Sequence, residues 1–310
     1  MCVEKKQQKA THCFQAFGFH QELGGGLLLD ADLRLVKLQK RTVLSRILNG
    51  EGQTVARFAV ILAAAGKSTR FRSKGADILG AGPQKKPFMD LKGRAVWVRS
   101  AEIFSNREDV KQLIISIAEE DIEWFKQKFR PNLAFMETEI VPGGQERADS
   151  VQNALARVKA DIDYIAIHDA ARPLITDKWV GEIFAAAEKH DAVIPAVRVS
   201  STLKRADKDL RIVETVDRTD LWAAQTPQVF KRQLLLDAYA QRGDLQATDE
   251  AQLIENLGHP VKIVEGSPLN QKITTAADFR MAEALVNALP KPKGIQALHP
   301  FADEEPRGIF

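Results

Sequence analysis

Cysteine is nearly missing from this 310-residue chain: Cys2 and Cys13 are the only two, both close to the start. That excludes a disulfide framework and a cysteine-rich metal site, and it fits a reducing cytoplasmic setting. Excess charge of one sign is also scarce. The 44 Lys and Arg against 41 Asp and Glu leave a net +3, too small and too dispersed to point to a nucleic-acid partner. No apolar run approaches the ~20 residues that a membrane helix needs. The opening residues lack the compact apolar core of a secretory signal. A GxGxxG dinucleotide loop is absent. The triplet Gly66-Lys67-Ser68 imitates the end of a Walker A motif, but that motif requires glycine where Ile61 stands, which excludes a P-loop NTPase. What remains is an ordinary globular composition, 45% apolar and 27% charged, with length enough for one large or two small well-buried domains.

Three segments differ in character. Residues 1–56 read as an N-terminal appendage of unassigned role. It has a polar, lysine-rich start, a Gly24-Gly25-Gly26 break, and an apolar stretch with a basic face at Arg34, Lys37, Lys40, Arg41 and Arg46. Residues 57–290 alternate short apolar runs with helix-like stretches. Strands are expected at 58–62, 112–117, 134–141, 164–168, 192–199 and 261–265. Helices are expected at 95–104, 122–129, 146–158, 179–189, 232–242, 249–257 and 276–289. Such alternation predicts an α/β fold with a mostly parallel sheet and helices on both faces. Residues 199–218 break the pattern and read as a protruding β-hairpin arm turning at 206–210. Residues 291–310 form a tail rich in proline and charge.

In a sheet of this kind ligands bind beyond the carboxyl ends of the strands, and the chemistry-bearing motifs follow the expected strands. The first run leads into Ala63-Ala64-Ala65-Gly66, then Lys67, Ser68, Thr69 and Arg70. Small residues let backbone N–H groups approach an anion, and we read the loop as wrapping a triphosphate, with an ordinary βα turn as the alternative. Gly143-Gly144-Gln145-Glu146-Arg147-Ala148-Asp149-Ser150 is either a ligand loop or a plain capped helix start. In His168-Asp169-Ala170-Ala171-Arg172-Pro173, Asp169 faces a metal–phosphate assembly and Arg172 a phosphate, or the two form an internal ion pair. His168 reads as a structural histidine. Thr248-Asp249-Glu250-Ala251 reads as a helix cap.

Together these motifs resemble the 2-C-methyl-D-erythritol 4-phosphate cytidylyltransferase family. The resemblance covers 58–289 and rests on the order of AAAG with Arg70, Lys86, GGQERADSV, HDAARP, TLKR, TVDRTDLWAAQTPQVF, TDEA and NQKIT. It implies a Rossmann-like nucleotidyltransferase that moves CMP from CTP to methylerythritol phosphate in non-mevalonate isoprenoid synthesis. By resemblance, Arg70, Lys86, Arg205 and Lys272 are the catalytic cations. Ala63, Ala64, Ala65, Gly66, Gly144, Arg147 and Ser150 hold CTP, and Asp169, Arg172 and Thr215 meet the substrate. Mg²⁺ or another divalent cation is implied, riding mainly on the CTP phosphates with Asp169 as its protein ligand. A homodimer through the arm and a cytoplasmic location are implied too. The chain departs from the family pattern at Ser68, at an apparent insertion over 73–82, at Ser201 and in its appendage. Lys85 competes with Lys86 as the loop lysine. A ribitol 5-phosphate cytidylyltransferase, or a CTP-binding relative with weakened catalysis, stands as the alternative.

Overall fold

The computed structural model describes residues 55–66 and 85–289. Nearly all of the appendage, Lys67, Ser68, Arg70, the 73–82 stretch and the tail from 290 lie outside the described residues.

The described chain begins with β1 (Phe58–Ala63). After residue 85 come β2 (Asp90–Leu91), β3 (Arg94–Ala95), α1 (Val96–Ser105), β4 (Val110–Ile117), α2 (Ile122–Lys128) and α3 (Arg130–Phe135). Then follow β5 (Thr138–Pro142), α4 (Arg147–Leu155), β6 (Tyr164–Asp169), α5 (Asp177–His190) and β7 (Ala192–Arg198). The arm is β8 (Leu203–Ala206) and β9 (Ile212–Val216). The chain ends with β10 (Trp222–Ala224), β11 (Gln228–Lys231), α6 (Arg232–Ala240), α7 (Glu250–Asn256), β12 (Lys262–Glu265) and α8 (Ala276–Leu285).

The main sheet has eight strands. β5, β4, β1 and β6 are parallel neighbours in that order. β11 runs antiparallel to both β6 and β7, so β7 points the same way as β6. β12 lies parallel on one side of β7, and β10 lies antiparallel on the side shared with β11. The mostly parallel expectation holds, with β10 and β11 as its exceptions.

Residues alternate faces along a strand, and both faces of β1 are covered. Phe58, Val60 and Leu62 join Trp97, Phe104, Phe125 and Phe184 in one core. Ala59 and Ile61 join Val151, Leu235 and Ile254 in the other. That two-sided burial is why β1 is an unbroken apolar run rather than an alternating one. The stack of Phe58 on Phe184, 3.9 Å between centroids, ties the strand to α5.

Two local readings need correction. The strand expected at 134–141 starts only at Thr138, because Pro131 sits in the first turn of α3, where its missing N–H is harmless, and the helix runs on through Phe135. Glu137, at φ 47°, then turns the chain into β5. The hairpin of β2 and β3 is not among the elements expected from the sequence. Its turn, Lys92 at φ 55° and Gly93 at φ 78°, has the two positive dihedrals that tight hairpins favour.

Candidate active site

A cleft of about 370 Å³ opens where β1, β4, β5 and β6 end. Ala63, Ala64, Ala65 and Gly66 form one wall as β1 runs out, and Gly144 to Arg147 form another. The glycines are dictated by close contacts. A Cβ on Gly143 would lie 2.3 Å from the Ala65 Cβ, and one on Gly144 would lie 2.3 Å from the Asp149 Cβ. The loop is pinned by the Gly143 N–H, which donates to the Ile117 carbonyl at 2.7 Å. The Gly144 N–H donates to the Ser150 Oγ at 2.9 Å, and that hydroxyl donates on to the Glu146 carbonyl at 3.1 Å. Ser150, expected as a CTP contact, therefore also shapes the loop. Asp149 accepts from the Glu146 N–H at 3.0 Å and from Arg242 at 2.6 Å, and the Arg242 bond lowers its pKa.

Asp169, at the tip of β6, is the hub of the cleft floor. Lys272 donates to its Oδ2 at 2.8 Å, Arg172 Nε lies 3.4 Å from the same oxygen, and Arg147 Nε lies 3.5 Å from Oδ1. Burial alone would raise this carboxyl's pKa. Lys272, Arg147 and Arg172 outweigh it and hold the group ionised well below the usual carboxylate range. Arg172 also donates to the Asn270 carbonyl at 2.8 Å, and burial lowers its pKa. The structure thus brings Arg147, Asp169, Arg172 and Lys272 together from α4, β6, the loop after β6 and the loop before α8.

His168 lies beneath this group with no solvent exposure. The Arg172 carbonyl can only accept, so the Nε2 of His168, 3.1 Å away, carries the hydrogen. Nδ1 then accepts from the Thr226 hydroxyl at 3.1 Å, and Thr226 Oγ1 accepts from the Asp169 N–H at 3.0 Å. Burial is the main cause that pushes the imidazole pKa down to about 4. Both ring nitrogens are engaged in holding the loop, as expected of a structural histidine.

Burial separates Lys85 from Lys86. Lys85 is 5% exposed and pairs with Asp121 at 2.5 Å and Glu120 at 3.1 Å. Lys86 lines the cleft. Both are fixed by the turn they share, because Phe88 packs 5.3 Å from the Phe125 ring centroid.

Arg205 and Thr215 do not line this cleft. Arg205 is exposed on the arm and pairs with Glu214 at 2.5 Å, while Thr215 Oγ1 accepts from Lys204 at 2.5 Å. In the β8–β9 register Arg205 faces Glu214 and Lys204 faces Thr215. Successive strand residues point to opposite faces, so Arg205 and Thr215 lie on opposite faces of the arm.

The family profile described as 2-C-methyl-D-erythritol 4-phosphate cytidylyltransferase matches residues 58–288. The chain belongs to this family. A protein of that name from Endomicrobium trichonymphae is 38% identical over 230 residues, covering 74% of this chain and 99% of its own. Another from Rhodopirellula baltica is 38% identical over 243 residues, covering 75% and 96%. Among solved structures, the family's enzyme from Thermus thermophilus aligns with a TM-score of 0.59 at 26% identity, over 74% of this chain and 99% of that one. A crystal structure of 4-diphosphocytidyl-2C-methyl-D-erythritol synthase aligns with a TM-score of 0.61 at 30% identity, over 76% and 100%. As a cytidylyltransferase the chain is an enzyme of the nucleotidyltransferase class.

Placing the cytidylyltransferase motifs in space shows three residues whose part the sequence hid: Glu250, Tyr239 and Gln228. Glu250 reads in the sequence as part of a helix cap, yet its carboxylate accepts from Arg147 at 2.6 Å and from the Tyr239 hydroxyl at 3.1 Å. Gln228, in the QTPQVF motif, accepts from the Glu250 and Ala251 N–H groups at 3.1 Å each and donates to Asp249 at 2.8 Å. The TDEA and QTPQVF motifs therefore meet. A charged residue beside a competent N-cap is the available sign of a second role for Glu250.

Proposed function

We propose that this cleft transfers CMP from CTP to 2-C-methyl-D-erythritol 4-phosphate, releasing pyrophosphate and giving 4-diphosphocytidyl-2-C-methyl-D-erythritol for isoprenoid precursor synthesis. The observation that carries the reading is the set of Lys86, Arg147 and Lys272 lining one cleft beside Asp169, against a glycine-turned loop.

The chemistry follows from those charges. A phosphate monoester has a second pKa of about 6, so the attacking group is mostly dianionic at neutral pH and needs no base. His168 is accordingly free to be structural. The difficulty is to bring anions together: two unit charges ~4 Å apart repel by about 4 kcal/mol at an effective dielectric of ~20. Lys86 and Arg147 hold the triphosphate and its cytidine, while Lys272 and Arg172 orient the acceptor phosphate. Arg70, outside the described residues, is assigned to the triphosphate on the same charge argument.

A divalent cation fits this donor set only as a passenger of the nucleotide. No group of three or more His, Cys, Asp or Glu among the described residues forms a metal site, whereas Asp169 offers one ionised carboxylate. Mg²⁺ takes few protein ligands and accepts phosphate oxygens and water for the rest. When bound, it neutralises charge on the departing pyrophosphate.

Arg205 and Thr215 lie outside their own cleft, and we assign the arm to a second copy of the chain. Leu210, Ile212 and Val213, 87%, 66% and 63% exposed, are the apolar side chains it offers.

Pyrophosphate release from CTP and Mg²⁺ tests the reaction, with methylerythritol 4-phosphate and ribitol 5-phosphate compared side by side. Turnover with the first alone is expected. Preference for the second, or CTP binding without release, refutes the assignment.

A further inference from the structure

Glu250 opens α7 and is 1% exposed. Its side chain is not needed to start that helix. Asp249 caps it by accepting from the Gln252 N–H at 3.1 Å, and Gln228 satisfies the amides of Glu250 and Ala251. Burying a carboxylate costs several kcal/mol unless a partner offsets it, so the burial calls for another account. The cation it meets is Arg147, and the 2.6 Å contact is a charge-assisted bond at the short end of the range. Tyr239 donates to the same oxygen.

Arg147 lines the cleft, and Glu250 and Tyr239 stand behind it, outside the lining. Burial opposes the charge on Arg147, but Glu250 and then Asp169 outweigh it and keep the guanidinium firmly protonated. Glu250 binds Nη1 closely, while Asp169 reaches Nε only at 3.5 Å. The tight contact sets where this long side chain stands, and the loose one does not. Arg147 Nη2 has no hydrogen-bond partner among the described residues, so its donors remain available.

We propose that Glu250 is a positioning residue for CTP. With the Tyr239 hydroxyl it fixes Arg147 in the cleft wall, so that the guanidinium meets the nucleotide already oriented. The inference rests on the cytidylyl-transfer reading and deepens it on the nucleotide side.

The test measures CTP binding with Mg²⁺ by calorimetry, and KM for each substrate, in Glu250→Gln, Arg147→Gln and the double variant. Glu250→Gln is expected to weaken CTP binding about tenfold, as the loss of a charge-assisted bond implies. KM for the acceptor should stay within about twofold. The double variant should bind CTP no worse than Arg147→Gln, because one chain of cause leads through Arg147. It should also melt higher than Arg147→Gln, which leaves the buried Glu250 carboxylate without its cation. Tyr239→Phe keeps the ring, deletes one donor, and should weaken CTP binding about two- to threefold, which keeps the test alive if Glu250→Gln does not fold. Unchanged CTP affinity in the Glu250 and Tyr239 variants, multiplying effects in the double variant, or a parallel rise in acceptor KM would overturn the proposal. CTP binding is read directly, so wild-type protein that binds CTP but transfers nothing to methylerythritol phosphate refutes the reaction and not the role of Glu250.

Discussion

His168 shows how a single side chain couples this site to pH. Its imidazole is neutral in the fold, with a pKa of about 4 against an ordinary 6.5, and burial is the main cause. As pH falls below 6.5 the unfolded chain takes up a proton there that the folded chain refuses. Stability is therefore fully present above about 6.5 and is lost progressively toward pH 4. A shift of this size corresponds to about 3 kcal/mol. Asp169 is held low, and its own loss of stability falls at more acidic pH, outside this window. Urea unfolding at pH 7 and pH 5 should show the drop, and His168→Gln should show less of it. An equal drop in both proteins would exclude His168 as its source. Gln has a donor and an acceptor but lacks the ring that fills this fully buried site, so the variant should also be less stable at pH 7.

At the scale of elements, β1 decides how well the cleft is placed. Phe58 is fully buried and stacks on Phe184 and Tyr164. Phe58→Ala should cost about 3–5 kcal/mol in chemical denaturation, the usual cost of a large aromatic lost from a core. A cost under about 1 kcal/mol would mean that the strand is not held by this stack. The strands β1, β4, β6 and β7 were legible because burial on both faces leaves an unbroken apolar run in the sequence. β11 was not legible: Gln228 to Lys231 is too short to show a period, and its antiparallel direction depends on what flanks it. α3 imitates the start of a strand because Leu133, Ala134 and Phe135 are apolar, although Phe135 is 84% exposed. The site was legible as motifs in order, with Lys272 among the expected cations. Its pairing with Asp169 was not, because one ends β6 and the other lies in the loop before α8. The Glu250–Arg147 pair was hidden because its partners are 103 residues apart and each has an adequate local explanation. The separation of Arg205 from Thr215 was hidden too, since only the strand register reveals it.

At the scale of the whole molecule, the arm is the feature that a single chain leaves unexplained. β8 and β9 form a sheet of their own, and the arm exposes three large apolar side chains near its turn. Two-stranded hairpins are marginally stable alone, and exposed apolar groups clustered in this way mark interaction surfaces. The proposed pairing through the arm predicts that the wild-type protein sediments as a dimer, and that replacing residues 205–213 with a short Gly-Ser turn shifts it to monomer with the fold intact. A variant that remains dimeric would place the interface elsewhere. Among the described residues no helix is long and apolar enough to cross a membrane.

Asp169 has a meaning beyond any one contact. Three cations that would otherwise repel one another are gathered around it while the chain folds. Under the proposed reaction this carboxylate is a resident counter-ion, a placeholder for the substrate phosphates. An arriving anion meets cations already assembled, and binding becomes an exchange of partners in which the electrostatic cost of gathering like charges was met at folding.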